Sequence, residues 1–237
     1  MSNKAGFGRD AGEFLKKLEN ESRSVENSLE NGAYIRSIVE NGDSVRVSVT
    51  VANSSGSENV EFVVLAEAVG DLALSVGEIP IELLPEIEYQ SEVARAYFSA
   101  CSSFAFVPSS LRGLWKKLLQ KGFEKDVCDL AIEAVKRRGF VDEGEIALRR
   151  AQIFIEKRWG RSRIFAKLRE EGFSDSALDK VRDFLEDVDF PEICAELILR
   201  KFGGVPEDRH ERELMIASLT RTGYSGAEIR EAIKKIN

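Results

Sequence analysis

The chain has little of what metal centres and nucleophilic enzymes require. Its 237 residues include a single histidine, His210, and three cysteines, Cys101, Cys128 and Cys194, none of which belongs to a C-x-x-C pair. A metal site or a catalytic triad needs several such side chains at defined spacings, and His210 has no partner of that kind. Glycine-rich phosphate loops are also absent, because Gly203-Gly204 matches neither the P-loop nor the dinucleotide pattern. The sequence therefore predicts no enzyme, no metal ion and no cofactor, and we expect the cysteines to be buried as small apolar residues.

Long apolar runs are missing as well. No stretch of about 18 uncharged apolar residues occurs, and the start, Met1-Ser-Asn-Lys4, lacks the apolar segment of a signal peptide. These absences predict a cytoplasmic protein without a membrane partner. The composition, with 43% hydrophobic and 32% charged residues, is typical of a globular chain with a buried core.

A short helical segment occurs three times in the second half of the chain, at residues 114–123, 164–173 and 215–224. Each copy ends with a leucine, a glycine four residues later and an aromatic residue directly after the glycine. This order is typical of a Schellman helix ending, in which glycine takes a left-handed conformation and the aromatic ring folds back onto the leucine. The residues of this signature are Leu118, Gly122 and Phe123, then Leu168, Gly172 and Phe173, then Leu219, Gly223 and Tyr224.

A second helix ending of the same kind is predicted at Gly139-Phe140. Fifty residues later the pair Asp189-Phe190 follows, and we expect Asp189 to take the left-handed conformation that aspartate tolerates better than most residues. Helix starts are predicted at Ser110, Asp142, Ser174 and Ser225, because these side chains can accept hydrogen bonds from the first free amides of a helix.

The first third of the chain has a different periodicity. Apolar residues alternate with polar ones from Tyr34 to Val39, from Val45 to Val51 and from Val60 to Leu65, and Asn41-Gly42 lies between the first two runs. Alternation predicts strands, and Asn-Gly predicts a hairpin turn.

The predicted fold class is mainly α, with three tandem three-helix repeats in an elongated array preceded by a small β-rich N-terminal module. The predicted domains are a disordered or loosely helical acidic tail (1–30), the β-rich module (31–88) and repeats 1, 2 and 3 (89–140, 141–190 and 191–237).

Basic residues are concentrated in the middle of the chain. Residues 1–89 contain 7 lysines and arginines against 16 aspartates and glutamates, whereas residues 112–169 contain 16 against 8. We therefore expect a polyanionic partner to contact the middle of the chain. The candidate contact residues are Lys116, Lys117, Lys121, Arg149, Arg150, Arg158, Trp159, Arg161, Arg163 and Lys167.

Two interpretations of these cations stay open on the sequence alone. Cations beside an aromatic ring can neutralise phosphates and stack a base, or pair with acidic residues of a protein. Alternatively, they form a solvated face, and Trp159 packs between two helices. A local positive excess in an acidic protein departs from an evenly mixed surface and favours binding.

An ordered set of motifs makes the sequence resemble the regulatory protein RecX family. The motifs span residues 89–237, with a weaker third repeat. They are Lys117-Leu118-x-x-Lys121-Gly122-Phe123, then Gly139-Phe140-Val-Asp-Glu143 with Ile146-Ala147, then Arg158-Trp-Gly-Arg-Ser-Arg-Ile164, and finally Lys167-Leu168-x-x-x-Gly172.

The resemblance implies a regulator, typically an inhibitor, of the RecA recombinase. Members of the family are built from tandem three-helix repeats and lie in the groove of the RecA filament on single-stranded DNA. There they modulate ATP hydrolysis, strand exchange and repressor cleavage in recombination and the SOS response. The implied partners are the RecA filament and the single-stranded DNA within it, with weak direct DNA binding as a further contact, and the chain is expected to be a monomer. The rival hypothesis is a stand-alone DNA-binding protein with helix-turn-helix-like units.

Overall fold

The computed structural model describes residues 32–53 and 56–236, and these are mostly helical with a small antiparallel sheet at the N-terminal side. This confirms the predicted fold class, mainly α with a small β-rich module in front. The tail of residues 1–30, predicted to be disordered or loosely helical, lies outside the described residues. No helix in the described part of the chain is long and apolar enough to cross a membrane.

The sheet contains the three predicted strands and a short fourth one, in the order β3-β2-β1-β4. The strands are β1 (Ala33–Asn41), β2 (Ser44–Asn53), β3 (Gly56–Leu65) and β4 (Gly77–Ile79). The alternating residues Val45, Val47 and Val49 are buried on one face, as the period-two pattern predicts. The predicted turn joins β1 to β2, with Asn41 paired to Ser44. The strand β4 and the helix α1 (Ala66–Asp71) were not predicted, because both are too short to show a periodic pattern.

Nine longer helices follow within the described residues, in three consecutive groups of three. The first group is α2 (Leu84–Phe106), α3 (Leu111–Gln120) and α4 (Lys125–Arg137), the second is α5 (Glu143–Glu156), α6 (Arg161–Glu171) and α7 (Asp175–Glu186), and the third is α8 (Phe190–Phe202), α9 (Arg209–Thr222) and α10 (Gly226–Ile236). Helix α2 starts at Leu84, whereas the helical periodicity of the sequence becomes visible only from Tyr89. Pro85 hides the true start, because proline interrupts a helix interior but fits the first turn of a helix.

The second helix of each group ends as the signature predicts. The φ angle is 91° at Gly122, 82° at Gly172 and 104° at Gly223. The amide of the next residue donates to the carbonyl of the signature leucine, at 3.3 Å after Gly122 and at 3.2 Å in the other two copies. These are the hydrogen bonds of a Schellman ending, and the three leucines are fully buried. Gly139 also takes a left-handed conformation, with a φ of 62°.

The prediction for Asp189 is wrong. Its φ is −74°, and it is the N-cap of α8, where its carboxylate accepts the Glu192 amide at 3.0 Å. A carboxylate at this position satisfies one of the free amides of the helix that follows, and Pro191 occupies the first turn, where a proline is tolerated. The caps predicted at Ser110, Asp142 and Ser225 accept the expected amides, whereas Ser174 is an N-cap without a side-chain hydrogen bond to its helix.

A left-handed helix ending also occurs at an arginine. Arg158 follows α5 with a φ of 58°, and the Trp159 amide donates to the Phe154 carbonyl at 3.0 Å. The Trp159 ring stacks on the Phe154 ring with a centroid distance of 4.6 Å. This is the geometry of the glycine endings, with tryptophan as the aromatic residue that folds back.

Two of the glycine endings, at Gly172 and Gly223, are also the places where neighbouring groups meet. The Ser110 hydroxyl donates to the Glu171 carbonyl at 2.6 Å, and a Cβ on Gly172 would lie 2.8 Å from the Cδ of Arg112. In the same way the Ser162 hydroxyl donates to the Gly223 carbonyl at 2.8 Å. The start of the second helix in one group thus packs against the end of the second helix in the next group, and this happens twice.

The chain divides into two compact units, with the division between Ala96 and Tyr97 inside α2. In the first unit, the sheet and the start of α2 share a core that includes Val47 and Ile87. In the second unit, a large core joins the second and third helix groups and includes Leu168, Leu219 and Tyr224.

Candidate functional site

Two of the three candidate lysines on or directly after α3 have partners in the same helix group. The ammonium of Lys121 donates to the Ser99 and Ser103 hydroxyls of α2, at 2.7 and 3.0 Å. The ammonium of Lys117 reaches the Ser109 hydroxyl at 3.2 Å. Lys116 is exposed and has no ion-pair partner among the described residues. Of the three, Lys116 is therefore the most available to a partner molecule.

Trp159 lies between a helix and a cation. One face of its ring covers Phe154 of α5, and the guanidinium of Arg163 lies 4.0 Å from the centroid of the indole ring. Arg163 is exposed, and Lys167, one turn further along α6, pairs with the exposed carboxylate of Glu170 at 3.0 Å. Trp159, which lies just before α6, and Arg163 and Lys167 on that helix thus form what we call the basic and aromatic surface on α6. A cation stacked on an indole can contact phosphate or carboxylate while its position stays fixed.

Arg158 holds helix groups together. Its guanidinium pairs with Glu196 of α8 at 3.0 Å, and its carbonyl accepts the Tyr224 hydroxyl at 2.9 Å. Its Nε is buried without a hydrogen-bond partner among the described residues. These contacts and the left-handed backbone give Arg158 a structural role.

The other candidate arginines also have partners within the chain. Arg150 forms a two-pronged pair with Glu171, with distances of 3.1 and 2.8 Å. Arg161 donates to the Leu185 carbonyl at 3.0 Å and lies over the Phe190 ring. Arg149 pairs with Glu145 one turn earlier on α5. Two-pronged pairs in a partly buried setting are more costly to break than exposed single ion pairs.

A polar groove between the second and third helix groups was not predicted as a unit. It has a volume of about 540 Å³ and is lined by Arg161, Phe165 and Arg169 of α6, by Arg182 of α7, and by Ser225 and Glu228. The spacing of residues 161, 165 and 169 on one helix face is visible in the sequence. The contribution of Arg182 is not visible, because it depends on how α7 packs.

The buried titratable groups offer no reactive side chain. Burial raises the pKa of the Cys194 thiol to about 12, and burial also raises the pKa of the Tyr224 hydroxyl. Both groups therefore stay protonated and neutral at physiological pH. No group of three or more potential metal ligands occurs in the part of the chain that the structure describes. The side chains that the structure brings together at the candidate site are cations and aromatic rings.

The known proteins that resemble this chain in sequence and in structure are of one kind. No family model matches the chain. A regulatory protein RecX from Halorhodospira halophila is 32% identical over 122 residues, which cover 51% of this chain and 75% of that protein. A regulatory protein RecX from Xanthomonas citri is 29% identical over 126 residues, which cover 53% of this chain and 77% of that protein.

Solved structures show a similar fold. The crystal structure of a regulatory protein RecX matches with a TM-score of 0.65 and 20% identity, over 86% of this chain and 99% of the other. The crystal structure of RecX from Lactobacillus salivarius matches with a TM-score of 0.52 and 14% identity, over 61% of this chain and 96% of the other.

Proposed function

This chain belongs to the regulatory protein RecX family, and we propose that it regulates a RecA recombinase, typically as an inhibitor. In this proposal the protein binds in the groove of the RecA filament on single-stranded DNA. There it restrains ATP hydrolysis, strand exchange and repressor cleavage in recombination and the SOS response.

The observation that best supports this proposal is the repeated junction between helix groups. At both junctions the start of a second helix bonds to the last carbonyls of the next group's second helix. Ser110 donates to the Glu171 carbonyl at the first junction, and the Gly160 amide and Ser162 hydroxyl donate to the Thr222 and Gly223 carbonyls at the second. Repeats joined in one way present corresponding faces side by side, which suits a partner that is itself built of repeated protomers. We propose that residues 89–140, 141–190 and 191–237 are the repeated units and that residues 31–88 form a separate module.

The contacts within the chain narrow the set of residues proposed to touch the filament. Arg150, Arg158 and Arg161 are held by Glu171, Glu196 and the Leu185 carbonyl. We assign the filament contact mainly to Lys116, Trp159, Arg163 and Lys167. The remaining candidates, Lys117, Lys121 and Arg149, contribute to the positive potential around them.

The test is ATP turnover by the recombinase of the same organism on single-stranded DNA, with and without the purified chain. Inhibition that saturates at a fixed ratio of regulator to recombinase is the expected result. Unchanged turnover, with both proteins folded and the filament formed, contradicts the proposal.

The second candidate function, a stand-alone DNA-binding protein, is supported by the exposed cation Arg163 beside Trp159. It predicts affinity for bare single-stranded DNA that falls steeply with salt, because each neutralised phosphate releases counterions. Filter binding at several salt concentrations measures this affinity, and together with the recombinase assay it separates the two proposed functions. Tight binding to bare DNA without any effect on the recombinase favours this second function.

A further inference from the structure

An apolar groove lies between the first and second helix groups. Its volume is about 540 Å³, and its apolar lining residues are Phe104, Val107, Pro108, Phe140, Ile146 and Ile153. The groove is separate from the basic and aromatic surface on α6. Val107, Phe140 and Ile153 in this lining are 55%, 47% and 40% exposed, and adjoining exposed apolar residues are typical of interaction sites.

The corresponding place between the second and third groups is closed. Phe104 and Phe140 correspond to Phe154 and Phe190, fifty residues later. Phe140 is 47% exposed, whereas Phe190 is fully buried. Phe104 is partly buried against the core and meets Phe140 edge to face, at 5.6 Å between centroids, whereas Phe154 is 4% exposed beneath the flat face of Trp159.

Two substitutions account for the difference. The residue that corresponds to Arg158 is Pro108. Arg158 takes a left-handed φ of 58°, which directs the chain so that Trp159 covers Phe154. The proline ring fixes φ near −65°, so Pro108 cannot make this turn. The next residue is also Ser109 instead of a tryptophan, and the face of Phe104 is left without an indole.

The charged residues around the groove favour a protein partner over a nucleic acid. Asp142 pairs with Lys180 at 3.6 Å, Arg149 pairs with Glu145, and Arg150 pairs with Glu171. A nucleobase arrives with a phosphate that needs an available cation. Because the two lining arginines are already paired, an uncharged aromatic side chain fits the groove better.

We propose that the groove receives an aromatic side chain of a protein partner, which takes the position against Phe104 that Trp159 takes against Phe154. The identity of the partner rests on the proposed function: a protomer of the recombinase filament would supply the ring. An aromatic residue that enters a preformed apolar groove is a common anchor of protein interfaces.

The groove itself is tested first, without any recombinase. The full chain, labelled at its isoleucine methyl groups, is titrated with N-acetyl-tryptophanamide and followed by NMR. We expect saturable shifts of the Ile146 and Ile153 methyls, with a dissociation constant on the order of 1 mM. The Ile216 methyl should not shift, although its side chain is 37% exposed, close to the 40% of Ile153. Absence of saturable shifts, or equal shifts at Ile216, would overturn the proposal.

The partner is then tested with a matched pair of variants. Ile153→Glu places a charge in the groove, and Ile216→Glu places the same charge on an exposed isoleucine of α9. We expect Ile153→Glu to weaken inhibition of the recombinase about tenfold and to abolish the probe shifts, with Ile216→Glu close to wild type.

If wild type inhibits and Ile153→Glu inhibits equally well, the recombinase is not the donor of the ring and this inference fails. If wild type does not inhibit at all, the proposed function fails, and the probe titration still decides whether the groove accepts an aromatic ring. Competition of the probe by a single-stranded oligonucleotide would overturn the choice of a protein side chain.

Discussion

Glycine has two separable roles in this chain, and two residues show each role alone. Gly122 has a φ of 91°, and no described atom from another part of the chain lies within 4 Å of the position that its Cβ would take. Gly160 has a φ of −77°, which any residue adopts. Its amide donates to the Thr222 carbonyl at 3.0 Å, and a Cβ there would collide with the backbone of Gly223. Gly122 is therefore required for its left-handed backbone conformation, whereas Gly160 is required because the Gly223 backbone lies so close to it.

The two roles predict different losses of stability. Gly122→Ala should lower the free energy of unfolding by about 1–2 kcal/mol, the cost of a left-handed alanine. Gly160→Ala should lower it by more than about 3 kcal/mol, because the clash is with backbone that cannot move without breaking the junction. Urea unfolding of both variants and wild type measures the difference. Equal losses would contradict the structural basis of the junction.

Helix α8 is tied to α10 by a small group of charges. The Lys235 ammonium lies 2.7 Å from the Asp189 carboxylate and 2.8 Å from the Glu192 carboxylate. The hydrogen bond from Lys235, followed by that from the Glu192 amide, lowers the pKa of Asp189 below its ordinary value of 3.8. The bonds to the two carboxylates raise the pKa of Lys235. The start of α8 is thus held both by its own cap and by a contact from the last helix.

This arrangement predicts a dependence of stability on pH. Because the folded pKa of Asp189 lies below the unfolded one, its contribution is fully present above the ordinary value and is lost as pH falls through the folded pKa. Asp189→Asn removes the charge and keeps an oxygen that can cap the helix. Its loss of unfolding free energy relative to wild type should be full well above the ordinary pKa of 3.8 and should shrink towards zero as pH falls through the folded pKa of Asp189.

The control for this prediction is Asp189→Ala, which removes the cap as well as the charge. It should remain destabilising at low pH, because a protonated aspartate in wild type still accepts the Glu192 amide. Denaturation curves of the three proteins at several pH values provide the measurement. A pH-independent loss in Asp189→Asn would contradict the assigned pKa shift.

Helix endings also show how far the sequence alone could predict the structure. Endings at Gly122, Gly172 and Gly223 were predictable, because the cost of a left-handed conformation selects glycine. The ending at Arg158 was not, since an arginine carries no such signal and its conformation is stabilised by Trp159 and Tyr224.

The cations of the candidate site were visible in the sequence, but their partners were not. Pairs such as Arg150 with Glu171 join different helices, and only the tertiary packing brings them together.

Over the whole molecule, the pattern of ion pairs separates structural cations from cations available to a partner. The local basic excess of residues 112–169 is largely occupied by bonds within the chain, including those of Lys121, Arg150 and Arg158. Lys116 and Arg163 have no ion-pair partner among the described residues. The number of cations in the sequence therefore overestimates how many of them are available to contact another macromolecule.

Charge reversal tests this separation. The triple variant Lys116→Glu, Arg163→Glu and Lys167→Glu should weaken inhibition of the recombinase at least about tenfold, because it replaces attraction by repulsion. Arg200→Glu, Arg221→Glu and Arg230→Glu change the net charge equally at exposed positions of the third group, and should leave inhibition near wild type. Both triple variants should stay within about 1 kcal/mol of each other in unfolding free energy, since exposed charges contribute little to stability. Equal inhibition by the two would contradict the assigned surface.

The end of α6 is also the place where the first helix group contacts the second. This coincidence affects the dynamics of both helices. A helix end normally frays on its own, but here the carbonyl of Glu171 is held by Ser110 of the preceding group. Release of the last turn of α6 must therefore free the first turn of α3 at the same moment. Amide hydrogen exchange in these two turns should proceed at a common rate, so that loosening spreads from one repeat to the next rather than remaining at a single terminus.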